Sequence, residues 1–205
     1  MIEIELKCEI LPEMQGRLRE KVEGMQFAGI VQNTDVYYDT PDYALLKRAV
    51  FVRMRNGKQL EFKFNEEIDQ EHSQSTERVF PLQAEGEMIE KMNQLFRYFL
   101  PEWRDGASFA EAREQNGLIE LVQIKNRREI YADREIELSI DHVEGLGDFL
   151  EVEIGCEEGA DTSEAEEILR RFVADLQGEH IKVGYVELWL RLHNPHAYEL
   201  GRYHL

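Results

Sequence analysis

Ile2-Glu3-Ile4-Glu5-Leu6-Lys7-Cys8-Glu9 alternates strictly. As a strand it puts Glu3, Glu5, Lys7 and Glu9 on one face and Ile2, Ile4, Leu6 and Cys8 on the other, because successive side chains point to opposite sides. The same pattern recurs along the chain. Val50 to Arg55 sets Arg53 and Arg55 against Val50, Val52 and Met54, and Leu60 to Phe64 sets Glu61 and Lys63 against Leu60, Phe62 and Phe64. Leu121 to Tyr131 sets Lys125, Arg127 and Glu129 against Val122, Ile124 and Ile130. Arg134 to Asp141 sets Glu135, Glu137, Ser139 and Asp141 against Ile136, Leu138 and Ile140, and Phe149 to Ile154 sets Glu151 and Glu153 against Leu150, Val152 and Ile154. Contact with water accounts for any one such face. Charged faces of mixed sign on six strands instead imply a sheet curled round a charged lumen, its apolar side packed outward under helices.

The rest of the chain fits a single α+β domain. Its 205 residues are 42% hydrophobic and 10% aromatic, enough for a real core. Pro12 opens a helix carrying Met14, Leu18, Val22 and Met25, and Gln32 to Asp39 reads as a strand. Thr40 and Pro41 start a short helix, and Asn56-Gly57 joins two strands as a tight hairpin. Residues 65–74 read as a polar loop, followed by a strand over 75–81 and an amphipathic helix marked by Met88, Met92, Leu95, Phe96 and Phe99. A strand-poor section leads into a long hairpin over 118–143 with its turn near Ala132-Asp133. Ser163 and Glu166 form a capping box for a helix, and Tyr185, Leu188, Trp189 and Leu192 mark a last one. The expected architecture is a closed antiparallel barrel of about eight strands with helices packed outside.

Composition narrows the partners. A net charge of −18 argues against a nucleic-acid surface. No stretch approaches the ~20 apolar residues of a membrane span, and the N-terminus opens directly on a strand, so the expectation is a cytoplasmic protein with no membrane partner. Cys8 and Cys156 lie on apolar strand faces and read as reduced thiols. His193 and His196 have ligand-like spacing but lack supporting chemistry around them. The outward helix faces are suited to a homodimer.

Lys7, Arg53, Arg55, Lys63, Lys125 and Arg127 form the basic set. Arginines two apart on a strand can fork onto neighbouring phosphoryl groups. Such a crowd of cations in one cavity calls for a polyanion, which makes a small-molecule linear polyphosphate the natural guest. Glu3, Glu5, Glu151 and Glu153 offer hard oxygen ligands for Mg²⁺ or Mn²⁺.

Glu3-x-Glu5-x-Lys7 at the N-terminus resembles the signature that opens the CYTH, or triphosphate tunnel, superfamily. The likeness continues through Tyr37-Tyr38-Asp39-Thr40-Pro41, Val52-Arg53-Met54-Arg55, Leu60-Glu61-Phe62-Lys63 and Lys125-Asn126-Arg127. It closes with Gly147-Asp148-Phe149-Leu150-Glu151-Val152-Glu153 and Lys182-Val183-Gly184-Tyr185. The resemblance implies an eight-stranded antiparallel tunnel that binds a triphosphate through Lys7, Arg53, Arg55, Lys63, Lys125, Arg127 and Lys182. It implies a divalent metal on Glu3, Glu5, Glu151 and Glu153, with Glu3, Glu5 and Lys63 carrying catalysis and Glu61 and Glu77 as further acidic tunnel residues. Gly184 stands where many members have Ser. The superfamily includes inorganic triphosphatases, thiamine triphosphatases and class IV adenylyl cyclases. Asp35 to Asp42 looks more like the triphosphatases, and Trp103 and Trp189 fall outside the lumen-facing strands, where a thiamine ring would stack. The expected function is metal-dependent hydrolysis of the terminal phosphate of tripolyphosphate or an organic triphosphate. The alternatives are an adenylyl cyclase or a non-catalytic polyphosphate or nucleotide binder.

Overall fold

The structure, a computed structural model, describes residues 2–65, 74–157 and 160–205. Its eight strands are β1 (Ile2–Glu9), β2 (Gln26–Asp39), β3 (Phe51–Arg55), β4 (Gln59–Phe64), β5 (Gln74–Pro81), β6 (Ile119–Asp133), β7 (Ile136–Val143) and β8 (Gly147–Cys156). They close into a barrel in the order β1-β5-β4-β3-β2-β6-β7-β8, with every pair antiparallel. Closure gives every strand two neighbours. Among the described residues six helices accompany them: α1 (Gln15–Glu23), α2 (Glu87–Phe99), α3 (Phe109–Gln115), α4 (Ser163–Leu176), α5 (Tyr185–His193) and α6 (Pro195–Leu200).

Local chemistry sets the connections. Asn56 and Gly57 both take positive φ, 54° and 65°, the primed turn that suits a right-twisted hairpin. Asn56 Oδ1 also accepts the Thr34 amide at 2.8 Å, tying that turn to β2. Asp39, which ends β2, is buried; Oδ1 accepts the amides of Thr40 and Leu45 at 2.7 and 2.9 Å, and Oδ2 that of Leu46 at 2.9 Å. The short helix expected after Thr40 is thus a carboxylate-clamped turn ending in a 3₁₀ turn over Leu46–Arg48. The strand-poor section contains α3, with Ser108 as its N-cap accepting the Glu111 amide. The N-cap of α4 is Thr162, one residue before the expected Ser163. The polar loop expected over 65–74 falls, but for its two ends, outside the described residues. No helix among the described residues is long and apolar enough to cross a membrane.

Among the described residues three apolar clusters form the core, two outside the barrel and one within its end. One packs Val52, Leu60, Phe62 and Phe80 under α2 and α3, where Phe96 stacks on Trp103 at 3.9 Å. A second packs Ile4, Leu6, Leu150 and Val152 against Leu169, Phe172 and Leu176 of α4. In the third, Tyr37, Val122, Ile124 and Phe149 meet Val186 and Leu190 of α5 and Ala197 and Tyr198 of α6. Tyr37 and Ile124 line the interior, and Val122 and Phe149 share their strand faces, so this cluster lies inside one end of the barrel. The helices α1 to α4 cover the outside, whereas α5 seals that end. Ile181 N donates to the Lys7 carbonyl at 2.7 Å, which fixes where α5 begins.

Candidate active site

The barrel encloses a cavity of about 300 Å³. Eight acidic and five basic side chains line it, the bases being Lys7, Arg53, Arg55, Lys63 and Arg128. The cavity is therefore acidic in balance, and each cation is already held by carboxylates.

Register explains the pairing. Glu5 stands opposite Glu153, and Lys7 opposite Glu151, across the β1–β8 seam. Lys7 Nζ lies 3.2 Å from Glu5 Oε1 and 3.0 Å from Glu151 Oε1. Burial pushes the Lys7 ammonium down, but Glu151 and Glu5 outweigh it and hold the group well above its ordinary value. Lys63 Nζ sits 2.7 Å from Glu5 Oε2, 3.8 Å from Glu77 and 3.9 Å from Glu3. Burial is again outweighed, here by Glu5, Glu77 and Glu3, so Lys63 stays charged.

On the other side of the barrel, Arg55 forks onto Asp35 (Nε–Oδ1 3.0 Å, Nη2–Oδ2 2.8 Å). Arg53 donates through Nε to Glu61 at 2.6 Å and through Nη1 to the Tyr37 hydroxyl at 3.2 Å. Burial raises Asp35 and Glu61, but the two arginines prevail and hold both carboxyls below their ordinary values. Glu61 is thus the wall partner of Arg53, while Glu77 lines the cavity itself.

Glu153 stands apart from these pairs, and Glu3 meets Lys63 at the long distance of 3.9 Å. Burial, with Glu77 and Glu5 adding to it against Lys63, pushes Glu3 up to about 7. Burial, with Glu3, Glu5 and Glu137 nearby, pushes Glu153 up to about 8. Among the described residues no lysine or arginine pairs with Glu153. Crowded carboxylates short of positive charge are a hard-oxygen donor set that suits a divalent cation. No three acidic, histidine or cysteine side chains among the described residues already stand in ligating geometry, His193 and His196 included. Of the four glutamates expected to hold metal, Glu151 is the most committed elsewhere: Oε1 pairs with Lys7 and Oε2 with Arg128.

Two expected phosphate ligands are misplaced by the alternation. Lys125 and Arg127 point outward, half exposed, and pair with Glu144 at 3.9 Å and Glu129 at 2.6 Å. The inward residues of β6 are Ile124, Asn126, Arg128 and Ile130. The reason is α5: with a helix sealing one end, the apolar face of β6 turns inward to meet it, reversing the usual assignment. Arg128 takes the lumen position, bonding Asp141 through Nε at 2.7 Å and Nη2 at 2.5 Å, and also reaching Glu151. In Lys125-Asn126-Arg127-Arg128 both faces carry a base, so only the parity of β6 distinguishes them. Lys182 is exposed and does not line the cavity.

The alternation puts Asp141 on a charged strand face and Tyr185 marks the last helix, but neither is among the expected site residues. Asp141 is fully buried and accepts Asn126 Nδ2 at 2.9 Å and the Tyr185 hydroxyl at 2.7 Å besides Arg128. The Tyr185 ring lies 4.3 Å below Lys7 Nζ. Burial and the charges of Glu151 and Asp141 hold its phenol well above the ordinary range, so it acts as a donor.

A closed antiparallel barrel with acids and bases interleaved along its lumen is the architecture of one protein class. The chain belongs to the CYTH domain family, whose model matches residues 1–183. Members of this family are enzymes of triphosphatase or adenylyl cyclase type. Among particular relatives is the Methanocaldococcus jannaschii protein named "Putative adenylate cyclase MJ0240", 28% identical over 183 residues that span 88% of this chain and 91% of that one. The Pyrococcus horikoshii protein PH1819 superposes with a TM-score of 0.65 at 24% identity, covering 93% of this chain and 99% of its own. The Hippeastrum protein HpAC1, named for adenylyl cyclase and reported with a dominant triphosphatase activity, superposes with a TM-score of 0.54 at 18% identity over 92% and 93% of the two chains. At those identities the two superpositions establish the fold alone.

Proposed function

We propose that the chain is a divalent-metal-dependent triphosphatase that cleaves the terminal phosphate of a triphosphate held in the barrel. The observation that carries this reading is the meeting of five lumen cations with the under-compensated carboxylates Glu3 and Glu153 in one 300 Å³ cavity. Lys7, Arg53, Arg55, Lys63 and Arg128 exchange carboxylate partners for phosphate oxygens as the polyanion enters, and the released carboxylates remain nearby. Glu3, Glu5 and Glu153 would hold the cation, with Glu77 beside them; once bound, it neutralises phosphate oxygens and makes phosphorus a better electrophile. Water attacks the terminal phosphorus in line, the bond to the bridging oxygen breaks, and a lumen carboxylate takes the proton. Lys63 faces Glu3, Glu5 and Glu77, where its charge stabilises the transferring group. Orthophosphate and a diphosphate leave.

Incubation with tripolyphosphate or ATP and Mg²⁺ or Mn²⁺, read by phosphorus NMR, tests the proposal. Orthophosphate supports it, and its absence with both substrates overturns it. One observation favours a second reading. Val31 and Ile130, diagonal neighbours on β2 and β6 across the barrel from β1 and β5, form a small apolar patch that suits the organic part of a nucleoside triphosphate. With the name carried by the Methanocaldococcus relative, this supports cyclisation of ATP, which the same spectra would reveal as pyrophosphate with cyclic AMP.

A further inference from the structure

Tyr185 provides a second link between the Lys7 and Arg128 sites. Its ring carries Lys7 Nζ at 4.3 Å, and its hydroxyl donates to Asp141 Oδ2 at 2.7 Å, the same oxygen that Arg128 Nη2 reaches at 2.5 Å. Lys7 and Arg128 meet again at Glu151, one on each oxygen. The five side chains thus close a ring drawn from β1, β8, β6, β7 and α5. Tyr185 is its one uncharged member, and it lies just beyond the stretch matched by the family model.

The consequence follows from what a triphosphate would displace. Lys7 and Arg128 share Glu151, so a phosphate group that takes the place of Glu151 on both cations removes the carboxylate that links them. Asp141 is fully buried, behind the guanidinium, and stays with Arg128. The ring of Tyr185 stays with Lys7, since a cation over an aromatic face needs no carboxylate to keep it there. Tyr185 is therefore the contact that holds the two cations in mutual register while Glu151 is exchanged for phosphate. It also sits in the first turn of α5, so the helix that seals the barrel end sets the spacing of the two bases.

We infer that Tyr185 is a positioning residue for triphosphate binding, fixing Lys7 through its ring and Arg128 through its hydroxyl and Asp141. The inference rests on the triphosphate reading of the lumen. Two substitutions separate the roles: Tyr185→Phe keeps the ring and removes the donor, and Tyr185→Leu removes both.

Calorimetry of a non-hydrolysable imido analogue of tripolyphosphate with Mg²⁺, beside thermal melts of each protein, provides the test. Tyr185→Phe should bind roughly tenfold more weakly, the size of one lost hydrogen bond to a charged group. Tyr185→Leu should lose roughly a further fivefold, as the cation–π contact goes. In turnover, KM for tripolyphosphate should rise by similar factors while kcat stays within about twofold. Equal affinity in all three proteins would overturn the inference, as would a Tyr185→Phe protein that melts in step with its loss of binding, which would make Tyr185 a core residue only. Wild-type protein that binds the analogue without hydrolysing tripolyphosphate would remove the proposed reaction and leave the positioning role standing. Wild-type protein that binds no analogue would overturn both.

Discussion

Arg128 lies flat against Asp141, its Nε 2.7 Å from one carboxylate oxygen and its Nη2 2.5 Å from the other, and Asp141 has no exposed surface. A two-point fork of this kind fixes the plane of the guanidinium as well as its distance, which a lysine cannot reproduce. Neighbouring Arg127 pairs instead with Glu129 at the outer surface. Arg128→Ala should therefore lower kcat/KM for a triphosphate by at least about a hundredfold, because it removes a lumen cation and strands Asp141. Arg127→Ala and Lys125→Ala should stay within about twofold, as exposed ion pairs contribute little. A steady-state comparison of the three variants decides whether β6 presents Arg128 or Arg127 to the substrate.

Stability without metal should fall as pH rises from about 5 to 8. Glu153 sits at about 8 and Glu3 at about 7 in the folded chain, against an ordinary value of 4.5 that the unfolded chain restores. Between those limits the folded state binds more protons than the unfolded state, so raising pH favours unfolding. Melting temperature should decline across this window, and Glu153→Gln should flatten the decline. A divalent cation should raise Tm more at pH 8 than at pH 5, where the carboxyls are protonated and cannot ligate. An equal effect of Mg²⁺ at both pH values would argue against carboxylate ligation.

Lys63→Met tests the three-carboxylate cradle. Removing the ammonium leaves Glu3, Glu5 and Glu77 facing one another with less positive charge. Turnover should be lost, and Tm at pH 8 should drop by several degrees relative to wild type. At pH 5.5 that gap should narrow, because protonation of Glu3, which burial pushes up to about 7, relieves the repulsion.

Asp39 belongs to the Tyr-Tyr-Asp-Thr-Pro stretch that carries part of the family resemblance, yet its contacts are structural. Its carboxylate takes the amides of Thr40, Leu45 and Leu46 and lines no part of the cavity. Asp39→Ala should cost about 2–4 kcal/mol in a denaturant titration by leaving buried amides unpaired. Protein that remains folded at low temperature should keep its affinity for a triphosphate.

Much of this molecule is legible in the alternation of its strands. Glu3, Glu5, Lys7, Arg53, Arg55, Lys63, Glu151 and Glu153 all reach the lumen by the period-two rule, since each lies opposite residues that pack outward under α2, α3 or α4. Asn56-Gly57 is equally local, because left-handed backbone at two successive residues is a property of those side chains. Arg128 and Lys125 mark where that legibility ends. Along β6 the rule still separates two faces, but which face looks inward depends on what fills the barrel. There α5 enters one end and needs Val122 and Ile124 as its floor. Alternation is a short-range consequence of backbone geometry, and so it is written in neighbouring residues. The choice of inner face on β6, the tie from Tyr185 to Asp141 across 44 positions, and the crowding that raises Glu153 all depend on long-range packing, which appears only once the barrel is closed.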